Sequence, residues 1–174
     1  AALTKIAYAE TPWAEVTFYS SSDWEQILEK DLEYQEVYQR VEQELLNSNK
    51  PFFHIPFAKI EKPSPHQVES QIGMDLRASH EIVQKVRDQK LNIAPYLGTT
   101  KRVSGLGCDI ESVAEALHDY VGAGGRFTAI TKMSALYVND ERLKDLEIYD
   151  TPGFNDPVIS RGQQTRQFLK QCDV

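Results

Sequence analysis

The amino-acid sequence predicts an α/β fold in which helix exceeds strand. Short segments in which apolar and polar residues alternate lie near both ends of the chain. Such alternation is typical of strands that bury one face of a sheet. In three segments between the two ends, over 23–47, about 65–90 and about 110–121, apolar residues instead recur at helical spacing. The 174 residues, 41 % of them hydrophobic, suffice for one globular domain with its own core.

The first 20 residues contain two of the alternating runs. LTKIAYAE and AEVTFYS are joined around Thr11-Pro12, and together they predict a β-hairpin over residues 1–20. Three serines followed by Asp23 then form a typical helix start. Apolar residues at helical spacing extend this first helix from Asp23 to Asn47.

The middle of the chain, residues 21–125, is predicted to be a helical insertion between strands. A proline-rich loop is predicted over 49–65 and contains the apolar stretch FFHIPF. This stretch either packs on the core, as we favour, or forms a patch that binds a partner or a membrane. A second helix is predicted over about 65–90 and a third over about 110–121, where GAGG ends it. The connection between them contains Lys101 and Arg102, which face a phosphate or, as we favour, belong to a surface loop.

The last segment, residues 126–174, is predicted to hold a strand pair, MSALYV and LEIYD, and a final helix over about 161–172. The second strand leads directly into Asp150-Thr151-Pro152-Gly153. A carboxylate at a strand end can hold Mg²⁺ directly or through water, and a glycine lets the backbone approach a phosphate closely. These four residues therefore form a candidate phosphate-sensing switch, although the same sequence also suits an ordinary turn.

The stretch ALYVNDERLKDLEIYDTPGFNDPVISR resembles the third GTPase motif of the dynamin-like GTPases, especially the bacterial members, and AALTKIAYAE resembles the strand after their switch threonine. The resemblance implies part of a P-loop GTPase-type sheet with a large helical insertion, and hydrolysis of GTP to GDP and phosphate with Mg²⁺. It assigns Asp150 to Mg²⁺ through a water molecule and Gly153 to the γ-phosphate. Thr151 and Pro152 would shape the switch. The Mg²⁺-binding threonine would lie just before Ala1, and Thr4 is a less favoured candidate.

Two motifs of such GTPases are absent from the 174 residues: the phosphate loop G-x-x-x-x-G-K-[ST] and the guanine-recognition motif Asn/Thr-Lys-x-Asp. The resemblance places them before Ala1 and after Val174. We therefore expect a middle segment of a GTPase domain, from just after the switch threonine to just after Asp-Thr-Pro-Gly, that is inactive alone. The resemblance also implies membrane remodelling by the parent protein and a homodimer across the nucleotide, with Asn155, Asp156 and Arg161 as candidate interface residues.

Charge and composition limit the other classes of function. The net charge of −7 and the lack of a basic stripe argue against a nucleic-acid partner. Between residues 23 and 48, eight acidic residues stand against two basic ones, which a solvated helix face explains. The alternative function is a helical protein-interaction module with no nucleotide chemistry.

Cysteine and histidine usage adds two expectations. Cys108 and Cys172 are too few for a disulfide framework, and we expect a cytoplasmic protein that is peripheral to a membrane in its parent form. The four histidines lack the spacing of metal ligands, so no histidine metal site is expected; they are His54, His66, His80 and His118.

Overall fold

The computed structural model describes residues 3–48, 62–107 and 110–150. Its elements, in chain order, are β1 (Leu3–Tyr8), β2 (Trp13–Phe18), α1 (Ser21–Ser48), α2 (Pro65–Glu69), α3 (Met74–Asp88), β3 (Thr100–Ser104), α4 (Ile110–Val121), β4 (Thr131–Val138) and β5 (Ile148–Asp150). Short 3-10 turns precede β4 and β5, over Thr128–Ile130 and Glu141–Leu143. The predicted α/β class is confirmed. No helix within these ranges is long and apolar enough to cross a membrane.

The five strands form one mixed sheet in the order β3-β2-β4-β1-β5. β1 runs parallel to β4, and every other neighbouring pair is antiparallel. The predicted hairpin over residues 1–20 is therefore wrong, because β4 lies between β1 and β2. The end of β4 holds the link between them: the Ala9 N–H donates to the Val138 carbonyl at 3.0 Å, and the Asn139 amide donates to the Glu10 carbonyl at 3.0 Å. The link thus crosses β4 instead of closing a tight turn.

The predicted pairing of MSALYV with LEIYD is also wrong, since β1 separates β4 from β5. A further correction concerns the insertion over residues 21–125, which is not wholly helical. It contributes β3, an edge strand that pairs antiparallel with β2, to the sheet. The side chains of β3 are mostly exposed, so TKRVS lacks the apolar alternation that reveals a strand in sequence.

The helices agree more closely with prediction. α1 and α4 match the first and third predicted helices, whereas the second is divided into α2 and α3 at Ser70–Gly73. α1 begins at Ser21, two residues before the predicted start, and the predicted capping signal is confirmed, because Ser20 and Asp23 cap the helix reciprocally. The Asp23 N–H donates to Ser20 Oγ at 3.1 Å, and the Ser20 N–H donates to Asp23 Oδ2 at 3.0 Å. FFHIPF and the predicted helix over 161–172 lie outside the described residues.

Two hydrophobic clusters lie along α1. The first joins one face of the sheet to the start of α1 and to α3 and α4, and its fully buried members include Val16, Tyr19 and Ile130. The second joins the later part of α1 to α2 and α3 around Tyr34, Val41, Val68, Ile72 and Leu76. α1 therefore packs on the sheet with its first turns and on other helices of the insertion with the rest.

A buried ion pair joins α1 to β4. Lys132 Nζ donates to Asp23 Oδ2 at 2.8 Å, and the two side chains are only 18 % and 7 % exposed. Asp23 therefore both caps α1 and holds the first turn of that helix against the sheet.

We predict that Lys132→Met destabilises the chain by about 3 kcal/mol, because it removes the ammonium that pairs with the buried Asp23 carboxylate. The double variant Asp23→Asn/Lys132→Met replaces the carboxylate by a neutral amide whose oxygen can still accept from Ser20, so it should be more stable than Lys132→Met alone. Urea unfolding of the two variants and the wild type measures both effects. A double variant no more stable than Lys132→Met would contradict the prediction.

Candidate nucleotide and magnesium site

Asp150, the predicted magnesium ligand, is the last residue of β5 and is exposed. It is the register partner of Thr4 in the antiparallel pairing of β5 with β1. No hydrogen bond or ion pair joins its carboxylate to another residue in the described part of the chain. The carboxyl end of β5 thus presents an exposed carboxylate beside Thr4 of β1.

Thr4 and Ser134 continue a polar row from Asp150 across the sheet. Ser134 on β4 is the register partner of Thr4, and their hydroxyl oxygens lie 3.2 Å apart. Since register partners project from the same face of a sheet, the three side chains lie on one face. Thr4 was predicted as a less favoured magnesium ligand, and Ser134 was not predicted. The available signal was one serine within the predicted apolar strand MSALYV, and the structure shows that this serine is buried.

Lys132 lies at the same end of the sheet, two residues before Ser134 in β4. Its ammonium donates to the buried Asp23, so it stabilises the fold and is not directed at a ligand. The glycines before it end α4, as predicted. A Cβ atom at Gly125 would lie 2.2 Å from the His118 carbonyl oxygen. Only glycine therefore fits at this position, where the backbone lies close to the end of α4.

The opposite face of β5 is fixed by a charged network. Lys5 on β1 is the register partner of Tyr149, and its ammonium donates to Glu147. Tyr149 donates its hydroxyl to the same carboxylate at 2.7 Å. The Lys5 hydrogen bond lowers the pKa of Glu147, while burial and the bond to Glu147 raise the pKa of Tyr149. This network ties a strand of only three residues to β1 and so positions Asp150.

Lys101 and Arg102, which the sequence left open as phosphate contacts, lie on β3 at the other edge of the sheet from β5. Lys101 Nζ is 5.2 Å from the centroid of the Tyr120 ring, and the Arg102 guanidinium is 4.0 Å from the centroid of the Trp13 ring. Both cations stack on aromatic rings and neither is brought to Asp150. They belong to a strand, so the surface-loop interpretation is also corrected.

The other predicted site residues, Thr151, Pro152 and Gly153, lie outside the described residues, as do the candidate interface residues Asn155, Asp156 and Arg161. In the described ranges, no group of three or more His, Cys, Asp or Glu side chains could hold a metal ion. Mg²⁺ does not need such a cage, because it is usually held by one or two carboxylates, water and substrate phosphates. An exposed Asp150 beside a hydroxyl residue fits that mode of binding.

We predict that acid loosens β5 before it unfolds the chain. The hydrogen bond from Lys5 lowers the pKa of Glu147 from its ordinary value of 4.5. The contact between Lys5 and Glu147 therefore stabilises the fold fully above that value, and this stabilisation is lost as the pH falls through the folded pKa. Protection of the amides that join β1 to β5, measured by hydrogen exchange relative to the intrinsic exchange rate at each pH, should therefore fall below about pH 4.5. Glu147→Gln should show the low protection already at pH 7, whereas the exposed Glu141→Gln should not. Equal exchange in wild type and Glu147→Gln would exclude this role.

The sequence matches no protein-family model and no curated protein. Among the solved structures that match, two have TM-scores of 0.52 and 0.51 at 21 % identity over 99 % of this chain. Both are structures of an oligomerised bacterial dynamin pair that provides a mechanism for long-range sensing and tethering of membranes. This chain spans 20 % of the length of each of them. The mixed sheet and its helices therefore have the fold of a segment of these bacterial dynamins.

Proposed function

We propose that this chain is part of the GTP-binding domain of a dynamin-like GTPase, which hydrolyses GTP to GDP and phosphate. The observation that carries the proposal is the position of Asp150. Its carboxylate is exposed at the end of β5, has Thr4 as its register partner, and immediately precedes Thr151-Pro152-Gly153. The fold shared with bacterial dynamins supports the proposal, since ligands of α/β sheets bind beyond the carboxyl ends of strands.

Asp150 would hold Mg²⁺ through a water molecule, and Thr4 is a second oxygen-bearing residue at the same place. When bound, Mg²⁺ would neutralise negative charge on the phosphates. The Gly153 N–H would donate to a γ-phosphate oxygen, because a residue without Cβ allows that approach. Thr151 and Pro152 would shape the switch that responds to the γ-phosphate.

The phosphate loop would come from residues outside this chain. Among the described strands, β5 pairs only with β1, so its other edge is open. A phosphate loop connects a strand to a helix and lies at the carboxyl end of that strand. A strand added parallel to β5 at this edge would bring its loop beside Asp150. Leu146 and Ile148, which are 52 % and 46 % exposed, supply apolar surface that such a strand could bury.

The same proposal covers the location and assembly of the parent protein. The two similar structures are of oligomerised dynamins that sense and tether membranes. We extend this to a cytoplasmic parent protein that associates peripherally with membranes and forms homodimers through its GTP-binding domains.

We predict that the 174-residue chain alone neither binds GTP tightly nor hydrolyses it. Catalysis of phosphoryl transfer depends on positioning and charge stabilisation by the phosphate loop and its lysine, which the sequence lacks. Isothermal titration calorimetry with a non-hydrolysable GTP analogue and Mg²⁺ should detect no micromolar binding. The same titration of the parent protein should detect it. Micromolar binding by the chain alone would contradict the prediction.

In the parent protein, we predict that Asp150→Asn lowers the rate of GTP hydrolysis at least about 100-fold, because an amide cannot supply the negative charge that holds Mg²⁺. Asp145→Asn is the matched control, since it removes an exposed carboxylate from the turn before β5. That variant should hydrolyse GTP at nearly the wild-type rate. A fully active Asp150→Asn variant, or an equal loss in both variants, would overturn the assigned role.

A further inference from the structure

The helical insertion carries a cleft of about 370 Å³ that the proposed GTP chemistry does not use. It opens between α1, the end of α2 and α3, and its position on α1 is about 20 Å along the helix axis from Ser21. The lining side chains are aromatic, amide or ionisable. They are Tyr34, Gln35, Tyr38, Gln39, Glu69 and His80.

A buried carboxylate fixes the walls of this cleft. Asp31 is 1 % exposed, and its Oδ1 lies 2.6 Å from His80 Nδ1. Its Oδ2 accepts hydrogen bonds from Gln35 Nε2 and Arg87 Nη2, both at 3.2 Å. The His80 ring in turn stacks on Tyr34, with centroids 4.1 Å apart and planes 14° apart. Two lining side chains, His80 and Gln35, are thus held by one carboxylate.

The lining favours a cation. Among the lining residues, the carboxylate is Glu69, and the amide oxygens of the two glutamines are further acceptors. Burial raises the pKa of Tyr34, and the negative charge of Glu69 raises it further, although the positive charge of Arg77 opposes both. The nearby Arg87 is already bound to Asp31, which balances its charge.

We propose that this cleft binds an arginine side chain from a basic segment of a partner protein. A guanidinium is flat and weakly hydrated, so it can stack on the Tyr38 ring while its N–H groups donate to Glu69 and to glutamine oxygens. The volume is near the lower limit of small-molecule pockets, which suits one long side chain. This inference is independent of the proposed GTPase activity.

The surrounding charge explains why the partner is a protein segment and not a free small cation. α1 carries eight acidic residues against two basic ones between residues 23 and 48. Asp23 and Asp31 are buried in ion pairs, but the other six acidic side chains are exposed or half-buried. Such a helix attracts a chain that carries several positive charges and speeds its association. The cleft then selects arginine among those charges.

The test is calorimetric titration of the full 174-residue chain with acetylated and amidated tri-arginine. Tri-citrulline, which has almost the same shape without the charge, is the control peptide. We expect saturable binding of tri-arginine at one site and no binding of tri-citrulline. Glu69→Gln and Tyr38→Ala should each weaken tri-arginine binding about fivefold. Glu29→Gln, which removes the same charge from an exposed position of α1 outside the cleft, should change it less than twofold.

If Tyr38→Ala disturbs packing, the effect of Glu69→Gln alone tests the site, because this substitution preserves the size of the side chain. Circular dichroism verifies the fold of both variants. Absence of tri-arginine binding, or binding of tri-citrulline with equal affinity, overturns the proposal. Equal weakening by Glu29→Gln and Glu69→Gln shows only a diffuse acidic field and also overturns it. Choline provides the last comparison: if it binds more tightly than tri-arginine, the occupant is a small ammonium compound and not a protein segment.

Discussion

The buried contact of Asp23 with Lys132 joins the two halves of this structure. The Asp23 carboxylate accepts hydrogen bonds from Ser20 at the start of α1 and from the ammonium of Lys132 in β4. The direction in which the long helix leaves the sheet is therefore set at its first turn. Because β4 pairs on one side with β1 and on the other with β2, the same contact also anchors the helix to the centre of the sheet. The insertion and the sheet end near Asp150 thus share one fixed frame.

The polar side chains at the sheet end and those on the helical insertion differ in how fully they are hydrogen-bonded. At the sheet end, Thr4, Ser134 and Asp150 lie on neighbouring strands, and the carboxylate at the end of this row has no partner among the described residues. On the insertion, Asp31 is fully engaged by His80, Gln35 and Arg87. An exposed and unengaged carboxylate is suited to a ligand that arrives with its own positive charge. A buried and satisfied one is suited to holding other side chains in place.

Local patterns in the sequence identified the helices and strands better than they identified which strands pair with each other. The helical spacing and caps located α1 and α4, because these signals depend on residues within a few positions of each other. The pairing of β1 with β4 and β5 depends on contacts more than 120 residues apart along the chain, and alternation of apolar residues does not encode it. For the same reason β3 was missed: its exposed side chains carry no alternation, and its cations are stabilised by the distant rings of Trp13 and Tyr120.

The candidate sites show the same limit. The position of Asp150 at a strand end was predictable because an apolar run precedes it and a turn sequence follows it, whereas the proximity of Thr4 follows only from the register of β1 with β5. One feature of the sequence could have indicated the Asp31 network. Asp31 lies on the apolar stripe of α1 between Ile27 and Tyr34, and a buried carboxylate needs a partner on another element.

Because Asp23 and Asp31 are eight residues apart, they lie close to one stripe of α1, and each ties that stripe to a different element, β4 or α3. Rotation of α1 away from β4 would separate Asp23 from Lys132. Rotation away from α3 would break the hydrogen bonds of Asp31 with His80 and Arg87. The helix that forms one wall of the cleft is therefore attached to β4 at its first turn and to α3 near its middle, so that the cleft is built on contacts with both parts of the fold.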